Sequence, residues 1–366
     1  MKMPTPAELW GTLALALPWG TLALVPLSAQ SAPDIFTLSS SGTAEQVRQA
    51  VRTGADVEAR GPGGATPLMR AASDNPDPAV VAALLALGAR AEDIDDSSHT
   101  ALMYAAKASA PSTVFAALLT NGARVDAQDE DGATALILVL STGTARAEQV
   151  QMLVAAGSPA RARTNDGWNA LLTACRFEAS AEIVSALLKG GCPADDRNSD
   201  GASALMLAIT ASANPDVIEM LLAAGARANE KTPDGWTPLM VAAHGNSGPS
   251  ILSALLRAGS PVNARGSGGA TALMLAAIGT SDIESIDLLV KAGAGLDDRT
   301  DDGRTALMLA AQYGMSPPVV TKLLLSGADG SLAAPDGRTA FDFAKRNRVM
   351  NQTAAFEQLR AAAGKK

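Results

Sequence analysis

Two histidines, two cysteines and several clusters of carboxylates are the side chains of this 366-residue chain best suited to chemistry. A general base or a metal centre needs such groups brought together. His99 and His244 lie about four internal units apart, tens of ångströms at the usual ~8–10 Å between packed helices. Each is therefore expected at the surface, without ligands at metal-binding spacing. The carboxylates gather at Asp129, Glu130 and Asp131, at Asp195 and Asp196, and at Asp297, Asp298, Asp301 and Asp302. A helix-loop-helix calcium site ending its turn at Gly132 would need acids at Ala127 and Leu138, and it has neither. Asp before Gly is ordinary turn chemistry, and a docking rim for a basic partner is the alternative use. Cys175 and Cys192 fall where most copies of the unit carry alanine; they read as two buried small thiols, with a bridge open only if their Cα atoms approach within about 7 Å. Gly61-Pro62-Gly63-Gly64 and Gly266-Ser267-Gly268-Gly269 follow no buried strand and carry no phosphate-loop Lys-Ser or Lys-Thr, so they read as hairpin tips. No catalytic residue, metal or cofactor is expected.

The elements that position these residues repeat. A threonine or its substitute stands at Thr66, Thr100, Thr134, Asn169, Ser203, Thr237, Thr271, Thr305 and Thr339, at spacings of 34 or 35 residues. A glycine at Gly54, Gly88, Gly122, Gly157, Gly191, Gly225, Gly259, Gly293 and Gly327 runs in step and ends an apolar stretch. Two markers sharing one period indicate a repeat array. In the unit opening at Thr271, that hydroxyl is the N-cap candidate, and Ala272, Ala276 and Ala277 keep one helix face narrow. Ser281-Asp282 supplies a turn and second cap. Ile286, Leu288, Leu289 and Val290 make the second helix apolar, and Gly293 ends it. Residues 296 to 303 then reverse the chain. One such helix pair cannot bury both faces, so neighbours must stack into a solenoid.

These residues resemble the ankyrin repeat: Asp234 to Leu239 reads Asp-Gly-Trp-Thr-Pro-Leu, and residues 221 to 226 read Leu-Leu-Ala-Ala-Gly-Ala. The resemblance covers about residues 34 to 366. It implies an all-α solenoid of helix-turn-helix units joined by extended β-hairpin-like turns, about ten units with caps. Residues 32–366 form one continuous array: 34–63 an N-terminal cap, 64–336 eight full repeats, 337–366 a C-terminal cap. Two departures stand out. One residue is added between the helices, which predicts longer, stiffer turns. The histidine usual after Thr-Pro-Leu is methionine at 69, 103, 206, 240, 274 and 308, Ile137 in one unit and Leu172 in another; stacking is therefore expected to be drier.

Residues 1–31 stand outside the repeats. Lys2 gives a positive start, residues 9 to 33 carry no charge, and Ala29-Gln30-Ser31 is an acceptable cleavage site. The segment reads as a secretory signal peptide, which would place the protein in the periplasm or outside the cell. An uncleaved anchor through residues 9–27 is the competing reading, since about 20 apolar residues span a bilayer. The net charge of −8 disfavours phosphate backbones, so no nucleic acid is expected.

The resemblance implies a non-enzymatic scaffold that binds an unidentified partner protein on its concave face and turn tips; a monomer is expected. A membrane-tethered assembly factor and a small-ligand-binding or enzymatic repeat protein are the alternatives. The residue before each marker and the two after the paired alanines are the variable positions there. They supply the expected contact residues Trp168, Arg176, Phe177, Trp236, His244, Arg304 and Tyr313, in the aromatic and arginine types that dominate interface energies. The competing use of Trp168 and Trp236 is packing against the neighbouring turn. Tyr104, where leucine is usual, is expected to be partly buried.

Overall fold

The computed structural model describes residues 34–211, 214–279 and 282–364. The leader reading falls on residues outside these.

Among the described residues twenty α-helices form ten pairs. The first helices of the pairs are α1 (Ile35–Ser41), α3 (Pro67–Asp74), α5 (Ala101–Lys107), α7 (Ala135–Ser141), α9 (Ala170–Arg176), α11 (Ala204–Ala211), α13 (Pro238–His244), α15 (Ala272–Gly279), α17 (Ala306–Tyr313) and α19 (Ala340–Ala344). The second helices are α2 (Ala44–Arg52), α4 (Pro78–Ala86), α6 (Ser112–Thr120), α8 (Ala147–Ala155), α10 (Ala181–Lys189), α12 (Pro215–Ala223), α14 (Pro249–Arg257), α16 (Ile283–Lys291), α18 (Pro317–Leu325) and α20 (Ala354–Ala363). Each odd-numbered helix packs on the next odd one and each even helix on the next even one, so two parallel rows run through the array.

The cause is local and repeats. Thr66 Oγ1 accepts the amide of Met69 at 3.3 Å, and Thr100, Asn169, Ser203 and Thr237 make the equivalent bond to Met103, Leu172, Met206 and Met240. Each bond satisfies an orphan amide of the first turn. The alanines behind the caps, such as Ala71, Ala105, Ala242 and Ala276, are wholly buried and let neighbouring first helices approach closely. Leu84, Leu118, Leu153, Leu187, Leu221 and Leu255 on the second helices fill the space between the rows.

The turns within the eight central pairs, from α3–α4 to α17–α18, are three to five residues long. Several place a residue in the left-handed region, at Ser109 (φ 52°), Glu178 (φ 57°) and Asn246 (φ 53°). Proline stands at the first position of α4, α12, α14 and α18, where its missing amide costs nothing. Asp282 caps α16, accepting the Glu284 amide at 3.0 Å.

Every second helix except α20 is followed by a left-handed glycine. At Gly225, φ is +99° and an added Cβ would meet nothing within 4 Å, so the requirement there is purely conformational. Gly225→Ala is expected to cost about 1–2 kcal/mol, the left-handed penalty of an L side chain. Chemical denaturation of the two proteins measures it, and an unchanged midpoint would refute the assignment.

The hairpins between units are tied across the stack by backbone bonds. Asp96 N donates to Gly63 O at 3.0 Å, Asn165 N to Asp131 O at 2.8 Å, and Asp301 N to Gly268 O at 2.9 Å. The expectation of drier stacking is corrected here. Methionine does fill the histidine position, with Met69 Sδ 3.3 Å from the Thr66 amide, but the bridging between loops has moved to another side chain. Arg163 Nη1 donates to Gly167 O of its own hairpin at 2.9 Å and to Arg197 O of the next at 2.8 Å. Arg60 and Arg299 repeat the pattern toward Ile94 O and Ala333 O, and Gln128 reaches Arg163 O at 3.5 Å. A guanidinium has the donors to serve two carbonyls and a carboxylate at once.

Candidate functional site

In several units the residue before the helix cap and the residue eight positions later meet. Two turns of the short first helix bring the hairpin tip and the helix end to the same side. Arg176 lies over the Trp168 ring at 5.7 Å. Trp236 meets His244 edge to face at 5.6 Å. Arg304 Nη1 donates to Gln312 Oε1 at 2.9 Å and to the Tyr313 hydroxyl at 3.2 Å, with its guanidinium 5.7 Å from that ring. The seven contact residues expected from the sequence thus fall into three stations along the array, each closed within its own unit.

Trp168, Arg176 and Phe177 come together in a groove of about 620 Å³. Leu138, Ser141 and Thr173 complete its floor, and Asp131, Asp166 and Asp200 stand on its rim. Phe177 is 41% exposed. Trp168 and Trp236 are both half-buried and backed onto the core, in keeping with the packing use weighed from the sequence. Each therefore presents one part of its ring and covers apolar surface with the rest. Trp236 and His244 line a separate hollow of about 410 Å³ with Ile209, Thr210 and Val241. At the third station Asp302 takes up Arg304, its Oδ2 accepting from Nε at 2.8 Å. That hydrogen bond holds the Asp302 carboxyl below its usual range, and Arg304 is held above its own for the same reason.

His99 is the residue that the sequence reading misplaced. It occupies the same position before the cap as Trp168, but its side chain is only 17% exposed. Nδ1 lies 3.3 Å from Asp95 Oδ2 and Nε2 lies 3.6 Å from Asp129 Oδ2, both carboxylates being 6% exposed. The Tyr104 hydroxyl donates to Asp95 at 2.8 Å, and Lys107 Nζ is 3.3 Å from His99 Nε2. Burial raises the Asp95 carboxyl, but the His99 amide and the Tyr104 hydroxyl outweigh it, so the carboxyl sits below its ordinary range. Burial and the Asp95 bond push Tyr104 up to about 12. Asp95 stands four residues before His99, a spacing that could have signalled this cluster; Asp129 comes from the next hairpin. Tyr104 is partly buried as expected. Among the described residues no group of three or more His, Cys, Asp or Glu is placed to hold a metal ion.

Cys175 and Cys192 are free and buried. Burial pushes their thiols up to about 12 and about 11. A buried neutral thiol is a poor nucleophile, so both are expected to resist alkylation at pH 8 in the native protein and to label fully on unfolding. The same shifts set a sign for stability. Above about pH 9 the unfolded thiols ionise while the folded ones stay protonated, so stability falls as pH rises from about 9 toward about 12. Replacing both cysteines by alanine should remove that component of the alkaline loss in a pH series of denaturation curves.

A family model for ankyrin repeats (3 copies) matches residues 35–129, 108–198, 144–232, 179–265, 205–300 and 273–360, so its overlapping matches run through almost the whole described array. No curated protein matches the chain. The capped helix pairs, the left-handed glycines and the hairpin ladder are what such a match requires, and the chain belongs to the ankyrin repeat family.

Proposed function

We propose that this chain is a non-enzymatic scaffold that is exported and holds a partner protein along the face carrying the three stations. Ankyrin repeats mediate protein–protein interaction and are typically not catalytic. The groove at Trp168 and Phe177 is the observation that carries the reading for this chain: it offers an exposed aromatic, a second aromatic under an arginine, and a polar rim. Such a combination matches the anatomy of an interface core and its surround. The groups that could do chemistry are already engaged. His99 sits between two carboxylates, His244 packs on Trp236, and both thiols are held protonated.

A photo-crosslinking amino acid at position 177, compared with one at Arg52 on α2, tests the reading in native extract. One dominant protein adduct at position 177, absent from position 52, is the expected result. Equal, diffuse labelling at both would overturn it. Export rests on residues 1–31. N-terminal sequencing of the mature protein should begin near Ala32; an intact N-terminus in a membrane fraction would favour the tethered alternative through residues 9–27. No helix among the described residues is long and apolar enough to cross a membrane.

A further inference from the structure

We propose that the middle of the array is a docking track for an extended cationic segment of the partner, one that carries Lys or Arg at every third residue. The inference rests on the scaffold reading above and deepens it. The feature is the groove floored by Trp168, Phe177 and Leu138; the charge of its rim says what fills it.

The rim charge arises from a single register position. Asp131, Asp166, Asp200 and Asp234 each precede the left-handed glycine of a hairpin tip, in four successive units. All four are exposed, and among the described residues none of them enters an ion pair. The same position further along is treated differently. Asp302 is bound by Arg304 and Asp336 by Arg338, each two residues on in the same hairpin. The four central units carry Ala133, Trp168, Ala202 and Trp236 at that place instead. Carboxylates are thus neutralised within the hairpin at the C-terminal end of the array and left unpaired where the aromatic groove lies. Arg176 is the basic side chain in the groove lining, and it is turned onto the Trp168 ring.

Spacing selects the form of the cation. Successive units stack about 8–10 Å apart, as packed helices do. A polyproline II segment rises about 3.1 Å per residue with three residues per turn, so every third side chain points the same way at intervals of about 9 Å. An alternating β-strand would turn every third side chain to the opposite face. A polyproline II chain with Lys or Arg at every third position can therefore set one cation beside each of Asp131, Asp166 and Asp200, with the side chains between available to Phe177.

The full chain is titrated with a fluorescent peptide of four Lys-Pro-Pro triplets, and with an isomer of the same composition whose four lysines are consecutive. The triplet peptide is expected to bind several-fold more tightly than the isomer and to weaken with added salt. Asp131→Asn, Asp166→Asn and Asp200→Asn together should weaken it about tenfold, since each exposed pair contributes modestly; Asp302→Asn with Asp336→Asn should leave it unchanged. The substituted groups are exposed, and an unchanged melting curve confirms that the triple variant is folded. Equal binding of the two peptides, or triplet binding that the triple variant retains, overturns the proposal. If that variant still gives the position 177 adduct in extract, the docking track has failed while the scaffold reading stands; absence of the adduct when the crosslinker is at position 177 and all three aspartates are intact is failure of the scaffold reading itself.

Discussion

Arg197→Met is expected to remove about 3–5 kcal/mol from the stability of the array, the cost of stranding a buried carboxylate. Glu230 is the group stranded. Its side chain is 2% exposed, and Arg197 Nη2 reaches it at 2.6 Å across the boundary between two units. Ser203 Oγ also bonds Glu230, but a hydroxyl supplies no counter-charge. The same arginine donates to Gly201 O at 2.7 Å, so its hairpin loses a tie as well. In a stack, stability is close to a sum of units and nearest-neighbour interfaces. The variant should therefore unfold in two denaturant steps, with the units before and after this boundary separating. Arg197→Met combined with Glu230→Met should recover most of the loss, because two apolar side chains leave no charge in the interior. A single unchanged transition for Arg197→Met would show that the pair does not hold this interface.

The second large effect concerns binding. Trp168→Ala with Phe177→Ala removes the aromatic floor of the groove, and the affinity for the partner captured at position 177 should fall about thirtyfold or more, the loss of a hot spot of about 2 kcal/mol. The two residues separate stability from recognition. Trp168 is half-buried and supports Arg176, so its removal should also lower the melting temperature. Phe177 is the more exposed, and Phe177→Ala should weaken capture with little change in melting. A Phe177→Ala protein that binds as well as the parent would place the contact elsewhere.

The helix caps were legible in the sequence because their physics is local: a threonine three residues before the amide it accepts is visible in one dimension. So were the left-handed glycines and the capping of α16 by Asp282. What spans a whole unit was not. Methionine in place of histidine suggested lost hydrogen bonds, but the compensating arginines stand in the hairpin ahead, and their targets lie 34 residues further on. His99 looked like a surface residue because Asp129, one of its two carboxylates, belongs to the next hairpin. The expected contact residues stand at positions that the fold brings together in three units, but that closure, eight residues apart, is a matter of helix and hairpin geometry rather than of the sequence pattern. The backbone bonds that join neighbouring tips are likewise announced by no side-chain pattern.

Those tip-to-tip bonds use only main-chain atoms, so they hold the frame whatever side chains the tips carry. Because each pair also closes inside its own unit, the side chains of one station can be exchanged without rewriting the pairs beside it. On the scaffold reading proposed above, such a surface would acquire a new ligand preference by small edits, station by station, while the architecture beneath stays as it was.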